Sequence, residues 1–300
     1  MKRPRALLLT VFLTTFFVAG CGSAEDPAAV EPNAAPIAPA GTPEGPLLVS
    51  ADVGFAPHAM ARPDGTAEGF NIDLADEIAK RLGRPGHEIV DQEWSGMFAG
   101  LNANRFEFII APTTMTYERS QEVLFVEGYL DTDYTFLIKE AAPEIETLED
   151  IRGQAIAVNN GSAYDLWVTE NQEEYDLQVQ RYGKNADAVQ AVVTGRAFAN
   201  LAGETVAKWA ANQSSLVRTT YTIKSGSKFS AAFRKDDVEY RNRVEEIMEC
   251  MKSDGTMARL HEKWFGDTPV EGAAAITPLE GYGEPGMEGY DPTPHPAACN

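Results

Sequence analysis

Residues 69–83 read Gly-Phe-Asn-Ile-Asp-Leu-Ala-Asp-Glu-Ile-Ala-Lys-Arg-Leu-Gly. Leu74, Ala75, Ile78 and Leu82 recur at helical spacing and form one apolar face. Asp76 and Glu77 precede Lys80 and Arg81 by four residues, the polarity that favours surface ion pairs. Asn71 is the expected N-cap and Gly83 the expected left-handed stop, so the spacing predicts an amphipathic helix over 71–82.

Outward from this helix the pattern alternates. Leu47–Ala51 reads as a short buried strand, and the loop 52–69 carries Pro57, Pro63 and the turn dipeptide Asp64-Gly65. A strand near Glu88–Gln92 follows, then a helix capped by Ser95, a strand Phe106–Ile110 and a helix Thr116–Val123. Thr132–Lys139 is extended and leads into the acidic segment Glu140–Glu146, read as a crossing between two lobes. A second alternation then begins. It has a strand Ala155–Val158, a helix opened by Gly161-Ser162, a strand Leu177–Tyr182, a helix from Asn185 to the stop at Gly195, a strand Ala197–Leu201 and a helix 203–212. Phe229–Phe233 is the return crossing, and helices Val238–Lys252 and Thr256–Trp264 close the core. Doubled strand–helix alternation predicts an α/β clamshell with mostly parallel sheets and two hinge crossings. One lobe is expected from 47–138 plus 230–266 and the other from 143–226.

Three further motifs follow the first helix in order: Trp94-Ser-Gly-Met-Phe-Ala-Gly-Leu101, Thr113-Thr-Met-Thr-Tyr-Glu-Arg119 and Asp254-Gly-Thr-Met-Ala-Arg-Leu-His-Glu-Lys-Trp-Phe-Gly266. With 69–83 they closely resemble the polar-amino-acid family of periplasmic solute-binding proteins, the receptors of ABC importers. The resemblance spans roughly 47–266. It implies a type II two-lobed fold, a small zwitterion in the inter-lobe cleft, permease subunits as partners, a monomer, no cofactor and no catalysis.

The family's site residues carry over by position. Phe55 is implied to stack on the ligand, Asp52 to meet its polar or cationic end, and Trp94 to be the second aromatic. Arg119 is implied to fork onto the ligand carboxylate, which a planar guanidinium does and an ammonium does not. Thr114 adds a hydroxyl. Pro112 departs from the family's usual glycine and offers only its carbonyl. In the second lobe, Asn159 and Ser162 precede a helix whose N-terminus suits a carboxylate. A larger departure lies at Gly203, where relatives place an Asp that grips the ligand's α-ammonium, with Glu204 as the adjacent substitute. That loss favours a carboxylate with one delocalised or substituted cation, such as the cyclic amidine ectoine, over plain α-amino acids. Two alternatives share the fold: a cyclohexadienyl-dehydratase-like enzyme, for which Glu204 and Asp52 are the candidate acid and base, and a sensory receptor that docks on a signalling protein.

The ends and the composition bound the setting. Lys2, Arg3 and Arg5 precede an apolar run over 6–19, too short to span a bilayer and fitted to a secretory signal over 1–20. Val18-Ala19-Gly20-Cys21 resembles a lipobox, so Cys21 is the expected lipidation site of an exported protein held at the outer face of the cytoplasmic membrane or in the periplasm. Residues 21–46 are Ala/Pro-rich, without hydrophobic period, and read as a disordered tether. The formal charge of −20 makes nucleic acid and anionic lipid poor partners. In an oxidising compartment Cys250 and Cys299 are expected to be bridged, stapling the Gly/Pro-rich tail 267–300, with two free thiols as the alternative. His58, His87, His261 and His295 are scattered and no zinc spacing occurs, so no metal is expected.

Overall fold

The computed structural model describes residues 45–297 and Cys299; the expected signal segment, Cys21 and nearly all of the tether lie outside them. The chain order is β1 (Leu47–Ala51), β2 (Met60–Ala61), β3 (Ala67–Glu68), α1 (Phe70–Arg81), β4 (His87–Asp91), α2 (Met97–Asn102), β5 (Phe108–Thr114), α3 (Tyr117–Ser120), β6 (Val123–Phe125) and β7 (Leu130–Lys139). It continues with β8 (Ala155–Asn159), α4 (Ala163–Glu170), α5 (Gln172–Tyr175), β9 (Gln178–Tyr182), α6 (Asn185–Thr194), β10 (Ala199–Gly203), α7 (Glu204–Gln213), β11 (Val217–Arg234), α8 (Val238–Ser253) and α9 (Thr256–Phe265). The strands hydrogen-bond in the order β4-β1-β5-β11-β7-β10-β8-β9, with β6 on β11. β4, β1 and β5 are parallel, as are β10, β8 and β9. The antiparallel pair β11–β7 joins the two parallel groups into one unbroken ladder.

Two groups of cores sit at the two ends of that ladder. Leu47, Val49, Leu74 and Ile78 of β1 and α1 pack with Phe229, Phe233 and Met248. Each such fully buried aliphatic side chain stabilises the fold by about 1.5–3 kcal/mol. Phe136, Ile138, Ile156, Val158 and Leu201 form the core at the other end. Leu130 packs in the first core, whereas Tyr134, Phe136 and Ile138 of the same strand pack in the second. The changeover therefore lies inside β7, ahead of both the 138 boundary and the 140–146 crossing read from sequence. The return path is the single long strand β11, whose register against β7 shifts between Thr219 and Thr222 and again between Ile223 and Ser227.

Other local differences have identifiable causes. Asn71 does not cap α1. Its first amides are satisfied by the preceding loop, with Phe70 N–H donating to Pro57 O and Asn71 N–H to His58 O. The cap position is Gly69, where φ is 143° and a Cβ would lie 2.2 Å from the His58 carbonyl oxygen. Asn71 is instead buried, donating to Ile110 O and Tyr129 Oη. Gly83 does stop the helix: Arg84 N–H reaches back to Ala79 O and Gly83 N–H to Lys80 O. The helix expected over 116–123 is only the single turn α3, because Val123, Leu124 and Phe125 leave it to pair with β11. Cys250 and Cys299 form a disulfide with Cα atoms 5.1 Å apart. Among the described residues no helix is long and apolar enough to cross a membrane, and no cluster of acidic, His or Cys side chains could hold a metal.

Candidate functional site

The carboxyl ends of β1, β5 and β8 converge on a narrow cleft, the usual place for a ligand in an open α/β sheet. Asp52, Trp94 and Arg119 line it from the first core's side, with Pro112 and Thr114 of β5, and Phe55 lines it while packing in the second core. Asn159 and Ser162 line it from the second side, with Tyr164 of α4. Pro112 is tolerated inside a buried strand because the β5–β11 register shifts between Ser230 and Ala232.

Arg119 is held by its turn. Thr116 caps α3 by accepting from Arg119 N–H, and the guanidinium Nη1 donates to Thr114 O at 2.8 Å. Nη2 reaches across the cleft to Gly161 O at 3.3 Å. The group lies 5.2 Å from the Trp94 ring centroid and 5.9 Å from that of Phe98. Desolvation pulls its pKa below the ordinary guanidinium value, and among the described residues no carboxylate forms an ion pair with it. Trp94 thus offers a ring face to Arg119 rather than to a ligand cation, and its Nε1–H donates to Gly161 O at 2.9 Å.

Asp52 is 3 % exposed and already engaged. Its Oδ1 is 2.9 Å from Lys184 Nζ, and its Oδ2 accepts from Asn159 Nδ2 at 3.2 Å. Burial raises its pKa, while Lys184 and Asn159 pull it back toward the ionised form. Lys184 also pairs with Asp91 at 2.6 Å. Asn159 Oδ1 and Tyr164 Oη are buried without a geometric hydrogen-bond partner, although the tyrosine hydroxyl lies near those of Thr132 and Thr114. Burial beside Tyr134 raises the phenol's pKa, so it stays protonated.

The α4 N-terminus is less available than its sequence suggests. Ser162 Oγ accepts from Asp165 N–H, Ser162 N–H donates to Asn159 O, and Gly161 N–H donates to the Asp165 carboxylate. Neither Gly203 nor Glu204 lines the cleft. A Cβ at Gly203 would lie 2.7 Å from Tyr164 Oη and 2.9 Å from Thr132 Oγ1, so there is no room for a carboxylate. Glu204 pairs with Lys208 one helical turn along α7 and faces a separate surface depression. Sequence reading missed Lys184, Tyr164 and Phe98. Asn185 reads only as a helix start and Phe98 only as part of a helix, and Lys184 and Tyr164 carry no signal of their own.

The sequence profile of "Bacterial extracellular solute-binding proteins, family 3" matches residues 47–267. The L-cystine-binding protein TcyJ of Escherichia coli (strain K12) is 28% identical over 224 residues, 74% of this chain and 83% of that protein. A solved ancestral arginine-binding protein bound to arginine superposes with a TM-score of 0.71 at 29% identity, covering 75% of this chain and all of that one. The ancestral amino-acid-binding protein AncCDT-1, described as a precursor of cyclohexadienyl dehydratase, gives 0.67 at 32% identity over 74% of this chain and 95% of its own.

Proposed function

The chain belongs to family 3 of the bacterial extracellular solute-binding proteins, and from that premise we propose that it is the extracytoplasmic receptor of an ABC importer. Its ligand is a small zwitterion: an amino acid, a modified amino acid or an ectoine-like compatible solute. The lobes are the two cores, and the cleft between Arg119 and Asp52 is the binding site. The observation that carries this reading is Arg119. A desolvated guanidinium, beside two aromatic rings and bonded only to carbonyls, is suited to receive a carboxylate in a bidentate fork. Asn159 Oδ1 and Tyr164 Oη, buried without a geometric hydrogen-bond partner, offer acceptors to the ligand's cation beside an Asp52 that Lys184 already engages.

The binding reading is preferred to the dehydratase-like one because Asp52 is held by Lys184 and Asn159 and Glu204 faces away. No acid–base pair of carboxylates therefore faces the cleft. Cys21 as a lipidated anchor and 22–46 as a tether complete the reading, supported by the lipobox-like sequence. Calorimetry over a panel of amino acids and ectoine tests it. Arg119→Ala should weaken the best ligand by roughly 2–5 kcal/mol, and Arg119→Lys should also bind poorly because the planar fork is lost. An unchanged affinity would put the site elsewhere.

A further inference from the structure

Lys184 stands behind the cleft lining and reaches Asp52, which does line it. It immediately precedes α6, on the side of the second core, while Asp52 and Asp91 stand at the carboxyl ends of β1 and β4 in the first. Its Nζ lies 2.9 Å from Asp52 Oδ1 and 2.6 Å from Asp91 Oδ1. The stem is fixed as well as the head. Ala186 N–H donates to Gly54 O at 3.2 Å, docking the start of α6 on the Asp52 loop, and a Cβ at Gly54 would lie 3.3 Å from Lys184 Cδ. The lysine side chain is 23% exposed, so most of it is held between the two sides.

We infer that Lys184 is a specificity-determining residue: the chain's own ammonium takes the place at Asp52 that a cationic side chain of a ligand would need, so the cleft selects zwitterions with an uncharged distal end. The inference rests on the reading of this cleft as the ligand site. Arg119 and Asp52 are the charged side chains that line the cleft, and Lys184 pairs with Asp52 from behind that lining. Asp91 is more than half exposed and faces Lys184 from outside the cleft. A ligand carboxylate balances Arg119. A second ligand cation, beyond the α-ammonium, finds Asp52 already paired and faces the like charge of Lys184 behind it, which is how an interface rejects a wrong partner. Removing the ammonium leaves Asp52 to face such a cation unopposed.

The test is calorimetry on the exported chain with L-glutamine and L-arginine, which share the α-amino acid head and differ in distal charge. Wild type should bind glutamine at least tenfold tighter than arginine. Lys184→Met should move that ratio at least tenfold toward arginine, and Lys184→Arg should leave it near wild type. Lys184→Gln, which keeps a hydrogen bond to Asp52, is the second variant should the methionine form not fold by circular dichroism. A wild type that prefers arginine, a ratio unmoved in the folded variants, or silence toward both amino acids overturns the inference. The receptor reading is judged apart from it, by whether any zwitterion binds in an Arg119-dependent manner.

Discussion

His58 is fully buried between α1 and α7, with Nδ1 2.9 Å from Asn71 Oδ1 and Nε2 2.9 Å from Thr205 Oγ1. The rings of Phe55, Phe70, Phe229 and Phe265 stand 5.5 to 6.0 Å from it and offer no counter-charge. Burial lowers its pKa from 6.5 to about 4. The unfolded chain takes up this proton near pH 6.5 and the folded chain only near 4. The unfolded state therefore binds more protons in that window, and stability falls as pH falls through it, by roughly 3 kcal/mol. Urea unfolding at steps of pH should show this loss, and His58→Gln should flatten it. Gly203 makes a second residue-scale prediction. Gly203→Asp, the acidic residue that sequence reasoning looked for, should destabilise by about 1–3 kcal/mol because its Cβ meets Tyr164 Oη. Tyr164→Phe should recover part of that loss in thermal unfolding of the double variant. These two positions show why the site was half legible. Asp52 follows a strand end, and the family resemblance places both it and Arg119 by position in the sequence. Tyr164 fills the space over Gly203 from 39 residues away, and Lys184 meets Asp52 across 132 residues, so neither leaves a local signal.

At the scale of elements, helices with a clean period and a Gly stop were readable, and α1, α6 and α9 fall close to their expected bounds. Short apolar runs were not. Val123–Phe125 fits a helix or a strand equally well until its partner β11 is known. The tail beyond α9 carried no periodic signal at all, yet it is tied down by polar contacts. Glu127 and Lys252 form a fully buried pair at 2.7 Å, and the tail adds Leu279 N–H and Thr277 O to the Gly128 carbonyl that Lys252 also meets. Glu284 accepts from Gly128 N–H and pairs with Lys228 at 2.6 Å, while Gly283 N–H donates to Glu245. Buried charges left without such partners are costly, so the tail acts as part of the core. Removing the Cys250–Cys299 bond, whose residues are 49 apart, costs up to about 4 kcal/mol in the chain-entropy picture. The double variant Cys250→Ser/Cys299→Ser should lose less than that in urea unfolding and stay folded, because the polar contacts persist. Truncation after residue 266 should cost more than the double variant, since it also strips the partners of Glu127 and Glu245.

On the whole-molecule scale, polar contacts that join the two sides include Trp94 and Arg119 to Gly161, Asp52 to Asn159 and Lys184, Ala186 to Gly54, and His58 to Thr205. The sequence announced two alternating units but not that β7 and β11 run through both. An extended run reads the same whether it ends a lobe or crosses it. Only cross-strand partners locate the changeover near Asp131–Asp133. Over this frame lies a formal charge of −20. Like charges spread over the surface repel and destabilise the compact state, while exposed ion pairs such as Arg62–Glu68 and Arg152–Glu149 favour it. Salt weakens both. Exposed pairs contribute about 0–1 kcal/mol each, and their members sit so close that screening removes only part of it. The repulsion acts over distances comparable to the screening length, roughly 30 Å at 0.01 M salt and 10 Å at 0.1 M, and is mostly removed. The repulsive effect should therefore win. Raising sodium chloride from about 0.01 M to about 0.1 M should lift the melting temperature by several degrees in differential scanning calorimetry, an order-of-magnitude expectation from the screening lengths. A fall over that range would mean that the paired charges, not the excess carboxylates, dominate the stability of this fold.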